Sequence, residues 1–288
     1  MKIAQWSWWV AVLALGLSAC GSPNTGMFEA ALNGAQSATV HVEPRHAPLQ
    51  LAALPTRDKS RLILANVEYW GSVVFQDGGD GHRRLMLAEA ESSFAFFRDG
   101  APEWEVLLSP VVPMDIQLTL HTGTVFADLR QLNLRRLDVE FGDAKAVLYL
   151  PPTDEQHPLI TELEFGRGDV ELILPNQAHL NFDEAVQLGS GAVTITLGEE
   201  VALGAEVIMH SGPLTLHVPS TTAMRIMIIR AGSGDVDLPA SFMPVQATED
   251  QAEQLWQTRN FPGAGARVEL SIELGSGDLE VKMLSTNS

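Results

Sequence analysis

The sequence predicts an all-β protein, a parallel β-helix-like solenoid of about six or seven coils of about 22 residues, on three observations. The first is a phrase repeated through the second half, a glycine bend followed by alternating apolar residues. It reads GRGDVELILP from Gly166, GSGAVTITL from Gly189, GSGDVDLP from Gly232 and GSGDLEVKML from Gly275, with looser copies at Phe141 (FGDAKAVLYLP) and Ser211 (SGPLTLHVP). The glycine before each strand marks a corner: Gly142, Gly168, Gly191, Gly212, Gly234 and Gly277, at steps of 26, 23, 21, 22 and 43 residues. A period near 22 means stacked units, each too small to bury its apolar face alone, and the last step is two periods long.

The second observation is alternation. Aligned on those glycines, the first inward position holds Ala144, Val170, Val193, Leu214, Val236 and Leu279, and the second holds Ala146, Leu172, Ile195, Leu216, Leu238 and Val281. Between them stand Lys145, Glu171, Thr194, Thr215, Asp237 and Glu280, all polar. A period of two with one apolar row is the pattern of a strand with one dry face. The third is punctuation: Pro151, Pro175, Pro219 and Pro239 follow the strands and remove a ladder donor there.

Taken in order, the chain opens with Lys2, an apolar run from Ile3 to Gly16 and then LSAC at residues 17–20. The run is too short to remain as a membrane-spanning helix. LSAC resembles the lipobox of bacterial lipoproteins, which implies cleavage between Ala19 and Cys20 and lipidation of Cys20, the single cysteine of the chain. Multiple acyl chains anchor stably where one binds marginally. Residues 1–20 are thus expected as a lipoprotein signal peptide. Gly21 and Ser22 lack the Asp that retains many lipoproteins at an inner membrane, so the expected address is extracytoplasmic, at the outer membrane of a diderm cell or the outer face of the plasma membrane otherwise.

Residues 21–60 carry Pro23, Pro44, Pro48 and Pro55 without sustained periodicity and are expected as a flexible tether, with an early strand at 38–43. Residues 61–120 alternate as strands around glycine-rich turns such as Asp77 to Gly81, and read as an antiparallel β cap over the first open rung. Trp70 and Trp104 are expected in its core. Residues 121–284 are the repeats, interrupted at 240–262 by an insertion whose EDQAEQLWQ has helical composition, so a short helix is expected near 248–257.

After cleavage the chain carries 36 acidic groups against 17 basic ones, a formal charge of −19. That balance excludes nucleic acid as a partner, because phosphates need a basic stripe. Cysteine count excludes an intrachain disulfide or a thiolate metal cluster.

Candidate chemistry is sparse. Asp143, Asp169, Asp235 and Asp278 follow corner glycines and could bind calcium between coils, but the row is broken at Ala192 and Pro213 and reads better as capping of backbone amides. Arg167, Gly168 and Asp169 spell an adhesion tripeptide, which the repeat itself explains. Paired carboxylates such as Asp143 with Asp169, or Glu171 beside them, have the form used for glycoside cleavage, yet no long loops build a cleft around them. The eight histidines lack metal-ligand spacing. Neither a nucleophile elbow nor a phosphate or dinucleotide loop occurs. No catalytic, cofactor or metal residues are expected.

The layout of WEVLLSP, DIQLTLHTG, LEFGRGDVELILP and GARVELSIELGSGDLEV resembles the toast-rack and putative-adhesin group of bacterial envelope proteins, which includes domains of the Lia cell-envelope stress proteins. The resemblance covers residues 61–284. It implies an extracytoplasmic β-solenoid with an adhesion or envelope-stress role and no catalytic residues. The reading is therefore a noncatalytic, lipid-anchored envelope protein offering a β surface to protein or polysaccharide. A scaffold that self-associates end to end is the alternative, and a polysaccharide lyase or hydrolase the third.

Overall fold

The computed structural model describes residues 23–90, 102–230, 232–245 and 254–284. The expected signal peptide with Ala19 and Cys20, and residues 248–253 of the expected helix, lie outside them. The described chain is all β. In order the strands are β1 (Asn24–Ala31), β2 (Ser37–Arg45), β3 (Leu49–Ala53), β4 (Arg61–Tyr69), β5 (Val73–Gly78), β6 (His82–Glu89), β7 (Trp104–Leu108), β8 (Met114–Asp128), β9 (Leu134–Tyr149), β10 (Leu159–Arg167) and β11 (Val170–Ile173). They continue as β12 (His179–Phe182), β13 (Val186–Leu188), β14 (Val193–Thr196), β15 (Ala202–Met209), β16 (Leu214–Pro219), β17 (Met224–Arg230), β18 (Val236–Asp237), β19 (Phe242–Pro244), β20 (Gln254–Thr258), β21 (Val268–Glu273) and β22 (Leu279–Leu284).

These strands form two sheets that share one core. The front sheet runs β1, β4, β7, β3, the second half of β8, the second half of β9, β11, β14, β16, β22, β18. The back sheet runs β5, β6, β2, the first halves of β8 and β9, β10, then β12 and β13, β15, β21, β17, β20, β19. From β8 to β22 the neighbours in each sheet are parallel except at β20, which is antiparallel to β17 and β19, and each passage of the repeats crosses from the back sheet to the front sheet at a glycine bend. Inward residues of both sheets, among them Phe165, Leu188, Leu172, Val193 and Leu214, line one small dry void, so the two inner faces pack on each other. Most of the buried apolar residues form a single cluster from Ala30 to Val281.

The bends stack because they carry no side chains. Gly166 lies so that a Cβ on it would fall 2.6 Å from the carbonyl oxygen of Gly142, and a Cβ on Gly142 would fall 2.6 Å from that of His121. Gly189, Gly275 and Gly232 make the same approach to the residue beneath. A second column, Gly168, Gly191, Gly212, Gly277 and Gly234, does likewise, and Gly168 also has a φ of +107°, which side chains disfavour. Between the columns the corner serines continue the ladder: Ser190 N–H donates to Gly166 (2.8 Å), Ser211 to Gly189 (3.0 Å), Ser276 to His210 (2.8 Å) and Ser233 to Gly275 (2.9 Å).

Five expectations change. Gly142 does not stand over Gly168. It belongs to the other column, Ala144 occupies the place under Gly168, and Val170 pairs with Ala146 rather than Ala144. The inward and outward rows survive this shift of two because the side-chain period is two.

The last two phrases are also exchanged in space: β22 lies between β16 and β18, and β21 between β15 and β17, so the chain's end inserts into the stack.

Residues 21–60 contain three strands instead of a tether. β1 pairs antiparallel with β4, β2 is parallel to β6 and β8, and β3 is parallel to β7 and β8. Val40, Val42, Leu49 and Leu51 are buried in the common core. The segment expected as an antiparallel cap is likewise of mixed pairing, and β8 runs unbroken through residue 120 into the stacked strands.

At the insertion, residues 254–258 are not helical: β20 lies antiparallel to β17, and the only helical turn among the described residues nearby is a 3-10 turn at Phe261–Gly263. Edge pairing outweighs the helical composition of that stretch.

Candidate functional site

Outward positions of the front sheet fall in straight rows, since parallel and antiparallel partners both keep alternate residues on one face. One row crosses all eleven strands. It passes from Met27 to Asn66, Glu105, Gln50, Phe126, Val147, Glu171, Thr194, Thr215, Glu280 and Asp237, each the register partner of the next. At about 4.8 Å per strand the row is roughly 50 Å long.

The middle of this row is a shallow groove of about 790 Å³. Its floor is the ring of Phe126, 48% exposed, with Val147 beside it in the row. The ring is held by its neighbours: Tyr149 packs on it at 5.8 Å between centroids, and the Arg130 guanidinium lies 4.8 Å over Tyr149. Arg130 is fixed in turn by a two-pronged contact with Asp128, at 2.8 and 2.7 Å. That donation holds the Asp128 carboxyl below the usual carboxylate range. Phe126 is thus a braced platform.

Polar side chains rim the platform. Gln50 donates to Glu103 at 2.6 Å, which fixes both on the β3 side. Thr124 and Lys145 lie one row away, and Asp169, Glu171 and Thr194 close the far side. Three carboxylates thus face one ammonium. Further along the row Asn66 donates to Glu105 at 2.9 Å. The arrangement can hold a ligand by stacking, hydrogen bonding and charge.

The residues singled out in the sequence are placed as follows. Asp278 caps the backbone N–H of Asp235 at 2.9 Å, and Arg167 pairs with Asp143 at 3.7 Å on the surface. Glu171 and Asp169 lie in the groove rim, not in a closed cleft. Trp70 and Trp104 are buried. His46 and His121 stack edge to face at 6.2 Å, His46 bonds to Thr122 at 2.9 Å, and His82 lies between Ser37 and Thr39. Burial, then His121 and Arg45, lowers the His46 pKa. Among the described residues no three histidine, cysteine or carboxylate side chains are placed to hold a metal ion. Below the His46 turn, burial pushes the Glu89 carboxyl up to about 7, although the His46 N–H and the Arg45 charge oppose it.

Phe126 was not singled out by the sequence. The signal available was an aromatic at an outward position, two residues from Thr124 and two from Asp128, in a strand whose other outward residues are polar.

No family model matches the chain, and no curated protein matches it. Two solved structures resemble it over most of its length. One is a putative cell adhesion protein from Clostridium sporogenes, 17% identical over 91% of this chain and 100% of that one, with a TM-score of 0.45. The other is a putative adhesin from Bacteroides fragilis, 10% identical over 90% and 99%, with a TM-score of 0.33. Both scores are below the level at which a shared fold is established.

Proposed function

We propose that the chain is a noncatalytic cell-envelope protein, held to a bacterial membrane through lipidated Cys20, whose front sheet is a contact surface for an envelope polysaccharide or protein. The observation that carries this reading is the braced, half-exposed Phe126 at the centre of a groove with polar groups on its rim. Phe126 and the neighbouring Val147 make an apolar floor between polar rim groups, a surface that a ligand can cover. Tyr149, Arg130 and Asp128 hold the ring and Gln50 holds Glu103, so binding orders little at these groups. Adhesion or an envelope-stress role both fit such a surface.

End-to-end assembly has less support. The front sheet finishes in the two residues of β18, and the back sheet finishes in the antiparallel pair β20 and β19. Very short terminal strands, as β18 and β19 are, make poor templates for a stacked copy.

Pull-down from native envelope with the wild-type chain and with Phe126→Ala tests the reading. A partner retained by the first and lost by the second supports it, and identical recoveries oppose it. Incorporation of labelled fatty acid into the wild type and not into Cys20→Ser tests the anchor.

A further inference from the structure

Resting on that reading of the front sheet, we propose that the Phe126 groove binds a linear polysaccharide whose sugars carry free, protonated amines, laid across the strands along the row that runs from Gln50 to Thr194.

Three features of the groove select this ligand. The first is its direction. Gln50, Phe126, Val147, Glu171 and Thr194 are consecutive register partners on β3, β8, β9, β11 and β14. Successive strands stand about 4.8 Å apart, close to the length of one sugar in an extended chain, so each sugar meets a new side chain. The second is charge. Glu103, Asp169 and Glu171 outnumber Lys145, which repels uronate or phosphate polymers and attracts ammonium groups. The face of Phe126 accepts either the C–H side of a sugar ring or an ammonium. The third separates a sugar chain from a basic peptide. Every strand beneath the groove is paired on both sides, as β3 is by β7 and β8, and β14 by β11 and β16. No free backbone edge is offered there, so an extended peptide cannot add as a strand. Recognition is by side chains alone, which suits a ligand rich in hydroxyls.

The test is titration calorimetry on the full-length chain in detergent at low salt, with a hexamer of β-linked glucosamine, its fully N-acetylated counterpart, polygalacturonate and hexalysine. The glucosamine hexamer is expected to bind at least tenfold more tightly than each of the others. Phe126→Ala and the pair Glu103→Gln with Glu171→Gln are each expected to weaken it at least tenfold with unchanged thermal melting. Glu140→Gln with Glu164→Gln, which removes the same charge from the back sheet, is expected to leave it unchanged. Equal binding of the acetylated hexamer or of hexalysine overturns the ligand class. If Phe126→Ala still abolishes capture of an envelope partner in that case, the surface reading stands without it. Equal weakening by the back-sheet pair reduces the effect to net charge and overturns the proposal.

Discussion

Phe28 of β1 and Phe75 of β5 meet with their ring centroids 5.5 Å apart, one from each sheet, at the N-terminal mouth of the sandwich. The inner rings of the two edge strands close an end that the stacked strands would otherwise leave open. The Phe28 ring also covers Gly26, where a Cβ would fall 2.9 Å from it. Phe28→Ala is therefore expected to cost about 2 kcal/mol in urea unfolding. In a double-mutant cycle with Phe75→Ala the coupling should be about 1 kcal/mol, and additive losses would show that the rings act separately.

The glycine columns make a differential prediction. A methyl on Gly191 would run into the Gly168 carbonyl, whereas one on Gly204 or Gly265 meets nothing within 4 Å. Gly191→Ala is expected to lose about 3 kcal/mol or more, because backbone on both sides must move. Gly204→Ala and Gly265→Ala should stay within about 0.5 kcal/mol of wild type. Chemical denaturation of the three variants gives the comparison.

Insertion of the chain's end into the stack gives another. Leu279 is fully buried between Leu214 and Val236, while Val236 stands at the sheet's edge and is half-buried. Leu279→Ala should cost about 3 kcal/mol, and Val236→Ala about 1 kcal/mol or less. A stack in chain order would reverse the two, since Leu279 would then be terminal.

Glu89 sets a slope in the pH dependence. Its carboxyl is raised to about 7 in the folded chain from an ordinary value of 4.5, so the folded state holds the proton more tightly. Stability from this group is full below about pH 4.5 and is lost as pH rises through about 7. Glu89→Gln should flatten that loss and raise the melting temperature at pH 8 relative to wild type. An unchanged profile would show that Glu89 binds its proton equally well in the folded and unfolded chain, so that burial does not raise it.

The strand interiors were legible because alternation is a local property. Val170, Val193 and Leu214 share one core, and Glu171 and Thr194 face out, as the period of two requires. What was not legible depends on pairing between distant segments. Counting from the glycine just before each strand puts Gly142 with Gly168, but the phrase at Phe141 has its first glycine at 142 and Ala144 in the second place. Pro44 and Pro48 read as loop, yet Pro44 sits in β2 where its register against β8 shifts, a place that tolerates a missing donor. The exchange of β22 and β18 has no counterpart in the repeat phrases, which look alike wherever they stack. Phe126 was hidden because in GTVFAD either Val125 or Phe126 can be the inward residue, and only the pairing of β8 with β9 settles which.

The register of β9 against β11 decides both the stack and the groove, since it puts Glu171 beside Val147 in the Phe126 row. Parallel partners lie about 4.8 Å apart, within reach of a disulfide, whereas a residue two places along is roughly 8 Å away and out of reach. Oxidation of Val147→Cys with Glu171→Cys in a Cys20→Ser background should give a rapid crosslink in the folded protein, and Lys145→Cys with Glu171→Cys should not. The opposite result would contradict the register and dissolve the row on which the binding surface is built.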